Sequence, residues 1–437
     1  MSTDLVIKID TPSDIAFARV LTSAAEAMAK RRGIDRRESL RFQLTVEELF
    51  VCLTGMAAPG QTIQTVLTGK NALLRVAFSF TAPTLSLGAL NAATAMPVCA
   101  EGEPPQDLGL LLAGKVADRF HIERKGENHF LIEAEVDRTY PPAPPVHTPQ
   151  DFRPPYAARS AGDPGQLAYA AALAAAAYPA WHCPQSFQTP AKFTDMVEDG
   201  QIACVAAFDA AGQVAGLLSW TPCSDHGLYF SGPFVFTPRE DAANVARLLA
   251  DAFLESVARE KYDIILSLRA TPDTPPGYFE SLGALELCRD GACCPQQVLF
   301  RHLREDAGMA VWRHPALETF LRQTYDRLAM FRDFLPAEPP ATRQRSESLL
   351  GAAFDRKRNL GELRPLLDGE DMVDNLNRHV CALRQRGIDN ILYYMDISQA
   401  WEAALADDLA QAGFSPKVVL PHGGRGDMVV WQYDAAY

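Results

Sequence analysis

Apolar positions recur along the chain with two alternating periods, and most runs end on a turn-forming residue. Leu5–Ile9 alternates apolar with polar residues, the period of a half-buried strand, and Asp10 and Pro12 stop it. Thr11 or Ser13 is placed to cap a following helix that reaches Arg32. From Arg37 to Met56 the residues Phe42, Val46, Leu49, Phe50 and Leu53, with Ala57 beyond, repeat at helical spacing. Strands are predicted at 61–68 and 72–80 around Gly69-Lys70-Asn71. The stretch 81–106 is rich in Ala, Pro, Gly and Ser and has no period, as in a lid or binding loop. A helix at 107–118 and a hairpin, 119–124 with 129–137, follow.

Beyond residue 139 the same alternation resumes. An Ala-rich helix is predicted at 166–178, a short one at 190–198, and strands at 201–208, 213–220 and 227–236. A long amphipathic helix covers 239–260, its stripe being Val245, Leu248, Leu249, Ala252, Phe253 and Val257. Strand 263–268, helix 275–283 and strands 284–289 and 296–303 close that segment. The last segment predicts helix 314–334, a strand pair within 346–367, helix 370–386, strand 389–396, helix 398–412 and strands 416–421 and 427–433. Strands and helices alternate without a Rossmann glycine fingerprint, so the fold class is α/β (α+β) in mixed layers.

Length and composition divide this series into domains. At 437 residues the chain exceeds what one core holds, and two or three domains are expected. The proline-rich run TYPPAPPVHTPQDFRPPY (139–156) favours extended backbone and separates residues 1–138 from the rest. A weaker boundary falls near 305–313. The expected domains are therefore 1–138, a linker 139–165, 166–304 and 310–437.

Charge and cysteine usage exclude several function classes. The net charge is −13, and the short basic run Lys30-Arg31-Arg32 with Arg36-Arg37 is interrupted by Asp35, so no nucleic-acid surface is expected. The low-charge stretch Leu167 to Gln185 is too weakly apolar to span a bilayer, and MSTDLVIKID has no secretory pattern, so a cytoplasmic protein is expected. Nine scattered cysteines, an odd number without framework spacing, suit reduced thiols. Cys223-x-x-His226 has no second pair at zinc spacing, so no metal is expected.

Two constellations carry candidate chemistry. In the second helix Glu48 and Cys52 lie four residues apart on one face. With the order of elements over 1–138, this segment resembles the GHKL (histidine-kinase-type) ATPases, in particular the anti-sigma-factor serine kinases. The resemblance implies an α/β sandwich that binds ATP or ADP. It places Glu48 at the family's acid and Cys52 where an asparagine helps hold a divalent metal. Magnesium wants oxygen ligands, and a thiol is a poor substitute. Thr81 stands near the adenine-reading acid of the family, without that acid. Gly109 and Leu110, in Asp107-Leu108-Gly109-Leu110, correspond to the phosphate-binding turn, with a carboxylate where a glycine belongs. The scaffold is thus kept while each nucleotide box is altered.

The second constellation lies in 166–304, where GYFESLGALEL (277–287) ends a strand–helix series that resembles the GNAT acetyltransferases. The resemblance implies an acyl-CoA cleft and places Tyr278 near an aromatic general acid. The pyrophosphate loop aligns with Asp241-Ala242-Ala243-Asn244-Val245-Ala246. There Asn244 replaces a glycine, Val245 and Ala246 complete the loop, and nearby Arg239 offsets Asp241. Asp225, His226, Tyr229 and Glu280 are further acid–base candidates. Residues 391–433 look like a second, partial copy, with Gly413-Phe414 where Gly283-Ala284 stands in the first. The turn His422-Gly423-Gly424-Arg425-Gly426-Asp427 joins two strands and is expected to be a mobile hairpin tip.

The leading expectation is a regulatory or signalling protein acting by protein or ligand binding. Its implied partner is a sigma-like factor or an antagonist, and the resemblance, whose members often dimerise, leaves a homodimer open. The alternatives are an N-acyltransferase using acyl-CoA, acetyl-CoA being the possible cofactor, and an ATP-dependent serine/threonine protein kinase, so enzymatic activity stays open.

Overall fold

A computed structural model describes residues 4–57, 60–82, 116–125, 128–141, 143, 145–149, 151–160, 162–289, 292–337 and 346–434. The predicted helix 107–118, with Gly109 and Leu110, falls almost entirely outside them. The chain divides into two compact units, and mixed α/β layers run throughout. The first comprises 1–139, 341–353 and 363–386, and the second 140–340, 354–362 and 387–437. The segment 310–437, expected to be one domain, is therefore shared between units.

The first unit is built on an antiparallel sheet in the order β1-β2-β3-β5-β4, from β1 (Leu5–Pro12), β2 (Thr62–Gly69), β3 (Leu73–Thr81), β4 (Arg119–Arg124) and β5 (His129–Asp137). Helices α1 (Ala18–Arg31) and α2 (Arg36–Met56) pack on it. Thr11 lies inside β1, and the turn into α1 is capped by Asp14, whose carboxylate accepts from Ala16 N. The predicted stripe of α2 is its buried face, from Phe42 to Ala57. It meets Ile63, Leu67, Val76, Phe78, Ile132 and Ala134, the inward alternate positions of the strands. Helix α7 (Met372–Gln385) belongs to the same unit, fastened by Asn375 Nδ2, which donates to Ser348 O at 3.2 Å.

The second unit holds a seven-stranded sheet in the order β11-β12-β10-β9-β8-β7-β6. Its strands are β6 (Ala157–Arg159), β7 (Ala203–Phe208), β8 (Val214–Pro222), β9 (Gly227–Val235), β10 (Ile264–Ser267), β11 (Glu280–Arg289) and β12 (Ala292–His302). β6 falls within the expected linker, because Ala157–Arg159 pairs with Ala206–Phe208. Helices α3 (Pro164–Ala177) and α4 (Pro190–Glu198) contribute to a core around Phe187, Phe193 and Phe234. Helix α5 (Arg239–Val257) packs Val245, Leu249, Phe253 and Val257 against Leu218, Phe230 and Ile265. All pairings are antiparallel except β9 with β10, which the α5 crossover makes parallel.

The expected helix 275–283 is absent. Residues 271–279 turn irregularly, and β11 begins at Glu280. Pro275 and Pro276 remove two consecutive N–H donors, and Gly277 takes φ +81°, so a helix of that length cannot nucleate there.

β13 (Met309–Arg313) and β14 (Arg332–Pro336) form a small parallel pair around α6 (Pro315–Leu328). The helix expected to reach 334 stops at Ala329, which takes the left-handed conformation of a helix terminus. A further sheet runs β15-β16-β17-β19-β18, from β15 (Leu349–Asp355), β16 (Leu360–Leu367), β17 (Asn390–Asp396), β18 (Phe414–Leu420) and β19 (Met428–Tyr433). The helix predicted at 398–412 is two short ones, α8 (Ala400–Ala403) and α9 (Ala406–Gln411).

The 422–427 turn is a fixed element rather than a mobile tip. Asp427 is fully buried, accepting from Arg332 Nε at 2.6 Å and from Tyr325 at 2.8 Å. Arg425 N donates to Asp396. A Cβ at Gly426 would meet Ser398 Cβ at 2.6 Å, so the turn runs too close to its neighbour for another residue. One expectation about thiols also changes. Cys288 and Cys293 face each other across the β11–β12 hairpin and form a disulfide.

Candidate functional site

The parallel pair β9–β10 ends in the one place in the seven-stranded sheet where parallel strands run side by side. Direct pairing covers only Gly227–Tyr229 against Ile264–Leu266. Beyond it β9 carries a bulge: Leu217 faces Phe234 and Ser219 faces Ser231, leaving Gly232 and Pro233 opposite Leu218 alone. Gly232 takes φ +106°, with the Leu217 carbonyl oxygen 3.0 Å from where a Cβ would stand. The bulge turns the following backbone outward. Phe236 N donates to Ala215 O, toward β8, so Val235 presents both its N–H and its C=O to the opposite side, that of β10.

An extended ligand can pair with such a strand edge, because unspent amides and carbonyls there give backbone hydrogen bonds. Here the edge is already spent. Gly232 makes an isolated bridge to Ala270, and Thr271 Oγ1 donates to Pro233 O at 2.6 Å. Gln296 Nε2 holds the Ala270 carbonyl at 3.1 Å. The Tyr178 hydroxyl accepts from Val235 N at 2.6 Å and lies 3.0 Å from Val235 O. It also donates to the Asp273 carboxylate. Burial and the Asp273 bond hold the phenol well above its ordinary pKa, so it stays neutral. The local sequence explains the delivery. Helix α3 ends at Tyr178, Pro179 forbids another turn, and the ring packs edge-on against Phe234 with centroids 5.1 Å apart.

The other half of the expected cleft, the start of α5, is also altered. The helix begins directly at Arg239 after Pro238, so only its first-turn amides are free of helical bonds. The amides of Asn244, Val245 and Ala246 therefore lie within the helix, and the side chains of Val245 and Ala246 are core residues. Arg239 and Asn244 are exposed. Glu240 and Asp241 occupy the first turn, and Asp241 accepts from the Tyr156 hydroxyl at 2.6 Å. Carboxylates stabilise a helix start and repel a phosphate placed there.

The remaining candidates disperse. Tyr278 bonds Asp251 on the exposed side of α5, and that bond, then burial, raises its pKa. His226 Nδ1 pairs with Asp263 at 2.7 Å, Asp225 with Lys261, and Glu280 is exposed. Tyr229 lies on β9 opposite Leu266. In the first unit Glu48 is half-buried, Cys52 packs at the edge of the core, and Thr81 pairs with His129. Among the described residues no group of His, Cys, Asp and Glu has metal-binding geometry. No described helix is long and apolar enough to cross a membrane. Sequence reasoning missed Tyr178 and Asp273. A tyrosine followed by proline at a helix end signals a stop, but nothing local reveals the partner 95 residues away.

No family model matches the sequence, and no curated protein matches it. Solved GNAT-type acetyltransferase structures are similar over about a third of the chain. An aminoglycoside 6'-acetyltransferase type Ii shares 17% identity, over 32% of this chain and 90% of its own, with TM-score 0.25. A phosphinothricin acetyltransferase from Sinorhizobium meliloti, in complex with AcCoA, shares 14% over 34% and 89%, with TM-score 0.28. A spermidine/spermine N-acetyltransferase from Vibrio cholerae shares 16% over 34% and 92%, with TM-score 0.27. At these values the likeness concerns chain tracing, and what each enzyme acts on belongs to that enzyme.

Proposed function

We propose that this is a cytoplasmic regulatory protein whose acetyltransferase-like unit binds a ligand or partner and does not transfer acyl groups. The observation that carries this reading is the occupied edge of β9. The Tyr178 hydroxyl takes the Val235 backbone N–H that an extended acyl-pantetheine arm would need. The acidic first turn of α5 supports it, since it disfavours a pyrophosphate. In the first unit the GHKL-like reading remains a proposal. Cys52 stands at the implied metal position, and this favours a protein-binding role, with a sigma-like factor or an antagonist as partner.

The second reading, an N-acyltransferase, is favoured by one observation: the parallel β9–β10 pair with its bulge and crossover helix is intact. Thermal shift separates the two, because a ligand that binds only the folded protein raises its stability. No shift with acetyl-CoA or CoA is the expected result. A saturable rise with acetyl-CoA overturns the proposal in favour of the enzyme, and a rise with ATP that requires Mg²⁺ revives the kinase.

A further inference from the structure

Strand β11 is the outer strand of the seven-stranded sheet, and among the described residues no further strand pairs with its free edge. Two buried amide side chains take that place. Gln432, on β19, accepts from Glu286 N at 3.1 Å and donates to Glu286 O. Asn390, at the start of β17, accepts from Cys288 N at 2.7 Å and donates to Cys288 O at 2.9 Å. Asn359 Nδ2 adds a second bond to that carbonyl at 3.0 Å. Residues 286 and 288 stand two apart, so their backbone groups point to the same side of the strand. Each amide thus serves both groups of one residue, as the peptide of a neighbouring strand would. Cys288 is therefore a point at which the edge of the seven-stranded sheet is fastened to the sheet of β17 and β19.

The disulfide sits on that point. Cys288 spends its N–H and C=O on Asn390, away from β12, so Cys288 and Cys293 are a non-hydrogen-bonded pair, where opposite side chains stand closest. At this pair the sulfurs, not backbone hydrogen bonds, link the strands. Cys293 is exposed and Cys288 half-buried, so a thiol in solution reaches the Cys293 sulfur first. Cys294 beside it is exposed and unbridged, but successive strand residues point to opposite faces, which turns it away from the bridge. The bridge spans five positions of sequence, and so short a loop confers less stability than a long-range link. Breaking it therefore leaves the fold standing. In a reducing compartment, disulfides that do form are as a rule transient or redox-sensing.

We infer that Cys288 and Cys293 form a reversible redox site, which exchanges with a small thiol of the glutathione class and sets how firmly Asn390 clamps the edge of β11. The thiolate of one small thiol attacks Cys293 Sγ. A mixed disulfide forms, the Cys293–Cys288 bond breaks, and Cys288 leaves as a thiolate that takes up a proton. A second small thiol attacks the mixed disulfide, freeing the Cys293 thiol and releasing the oxidised small-molecule disulfide. Two electrons pass from the two small thiols to the protein, and the reverse sequence restores the bridge. Once it is broken, the tip of the hairpin is no longer held to Cys288, and the Cys288 backbone opens from Asn390 to water more often. The inference takes its reducing compartment from the cytoplasmic reading above and rests on it to that extent.

The test equilibrates the full chain in buffers of oxidised and reduced glutathione. Alkylation with mass spectrometry reads the cysteines, and hydrogen exchange is followed on the peptide covering 284–289. Cys288 and Cys293 are expected to be joined to each other in the oxidised buffer and alkylated together in the reduced one. Exchange of 284–289 should rise about tenfold on reduction while β9 and β10 stay protected. Cys293→Ser should show the faster exchange in either buffer and still fold, and Cys294→Ser should respond as the unmodified protein does. A pair left unbridged in the oxidised buffer overturns the inference. A bridge that survives reduced glutathione does so too, because it is then structural. Unchanged exchange on reduction, or global unfolding, overturns it as well. None of these outcomes bears on the acetyl-CoA experiment above, so the failure of either is read separately.

Discussion

Tyr178→Phe removes one oxygen and leaves the ring in place against Phe234. The lost hydroxyl serves the Val235 amide and the Asp273 carboxylate. Val235 is buried and Asp273 half-buried, so water compensates the second more readily than the first. Leaving a buried polar group unpaired costs about 1–3 kcal/mol. For a unit of this size that lowers the melting temperature by roughly 2–12 °C, at about 2–4 °C per kcal/mol. Differential scanning calorimetry measures it directly. The companion variant Tyr178→Ala also removes the ring and frees the strand edge. If the tyrosine is what closes the slot, acetyl-CoA should stabilise Tyr178→Ala but not the unmodified protein, by about 2.7 kcal/mol at a hundredfold excess over Kd. An unchanged melting temperature in Tyr178→Phe, with an acetyl-CoA shift already present in the unmodified protein, refutes the reasoning.

Three further expectations follow from the packing. Arg332→Ala should cost about 3–5 kcal/mol, since it strands the fully buried Asp427 without its cation; a urea midpoint shift equivalent to less than about 1 kcal/mol contradicts that. Gly232→Ala should destabilise by about 1–3 kcal/mol, because its φ of +106° is open to glycine alone; thermal melting reports it. Burial pushes the rings of His379 and His182 below the ordinary 6.5 and keeps them neutral in the folded protein. The unfolded chain takes up protons below that value which the folded one refuses. Stability should therefore be full above pH 6.5 and decline as pH falls toward the depressed values. Urea midpoints across that window check it, and His379→Gln should flatten the slope.

Local pattern alone determined the elements whose partners are near in sequence or whose period is strong. The stripes of α2 and α5 were legible because a helix buries whatever repeats every three to four residues, whichever surface it meets. The hairpins β2–β3 and β4–β5 followed from their alternation and turns, and the mixed α/β class from the order of elements. Chemistry that depends on convergence was not legible. Tyr178 meets Val235 and Asp273 only after the sheets have formed. The His422–Asp427 turn looked free because a glycine-rich hairpin does not disclose that a buried arginine waits 95 residues earlier. Sequence fixes backbone preference and the period of burial, which are short-range properties. Which polar groups end up facing one another in low dielectric is set by long-range packing, and only the tertiary structure decides it.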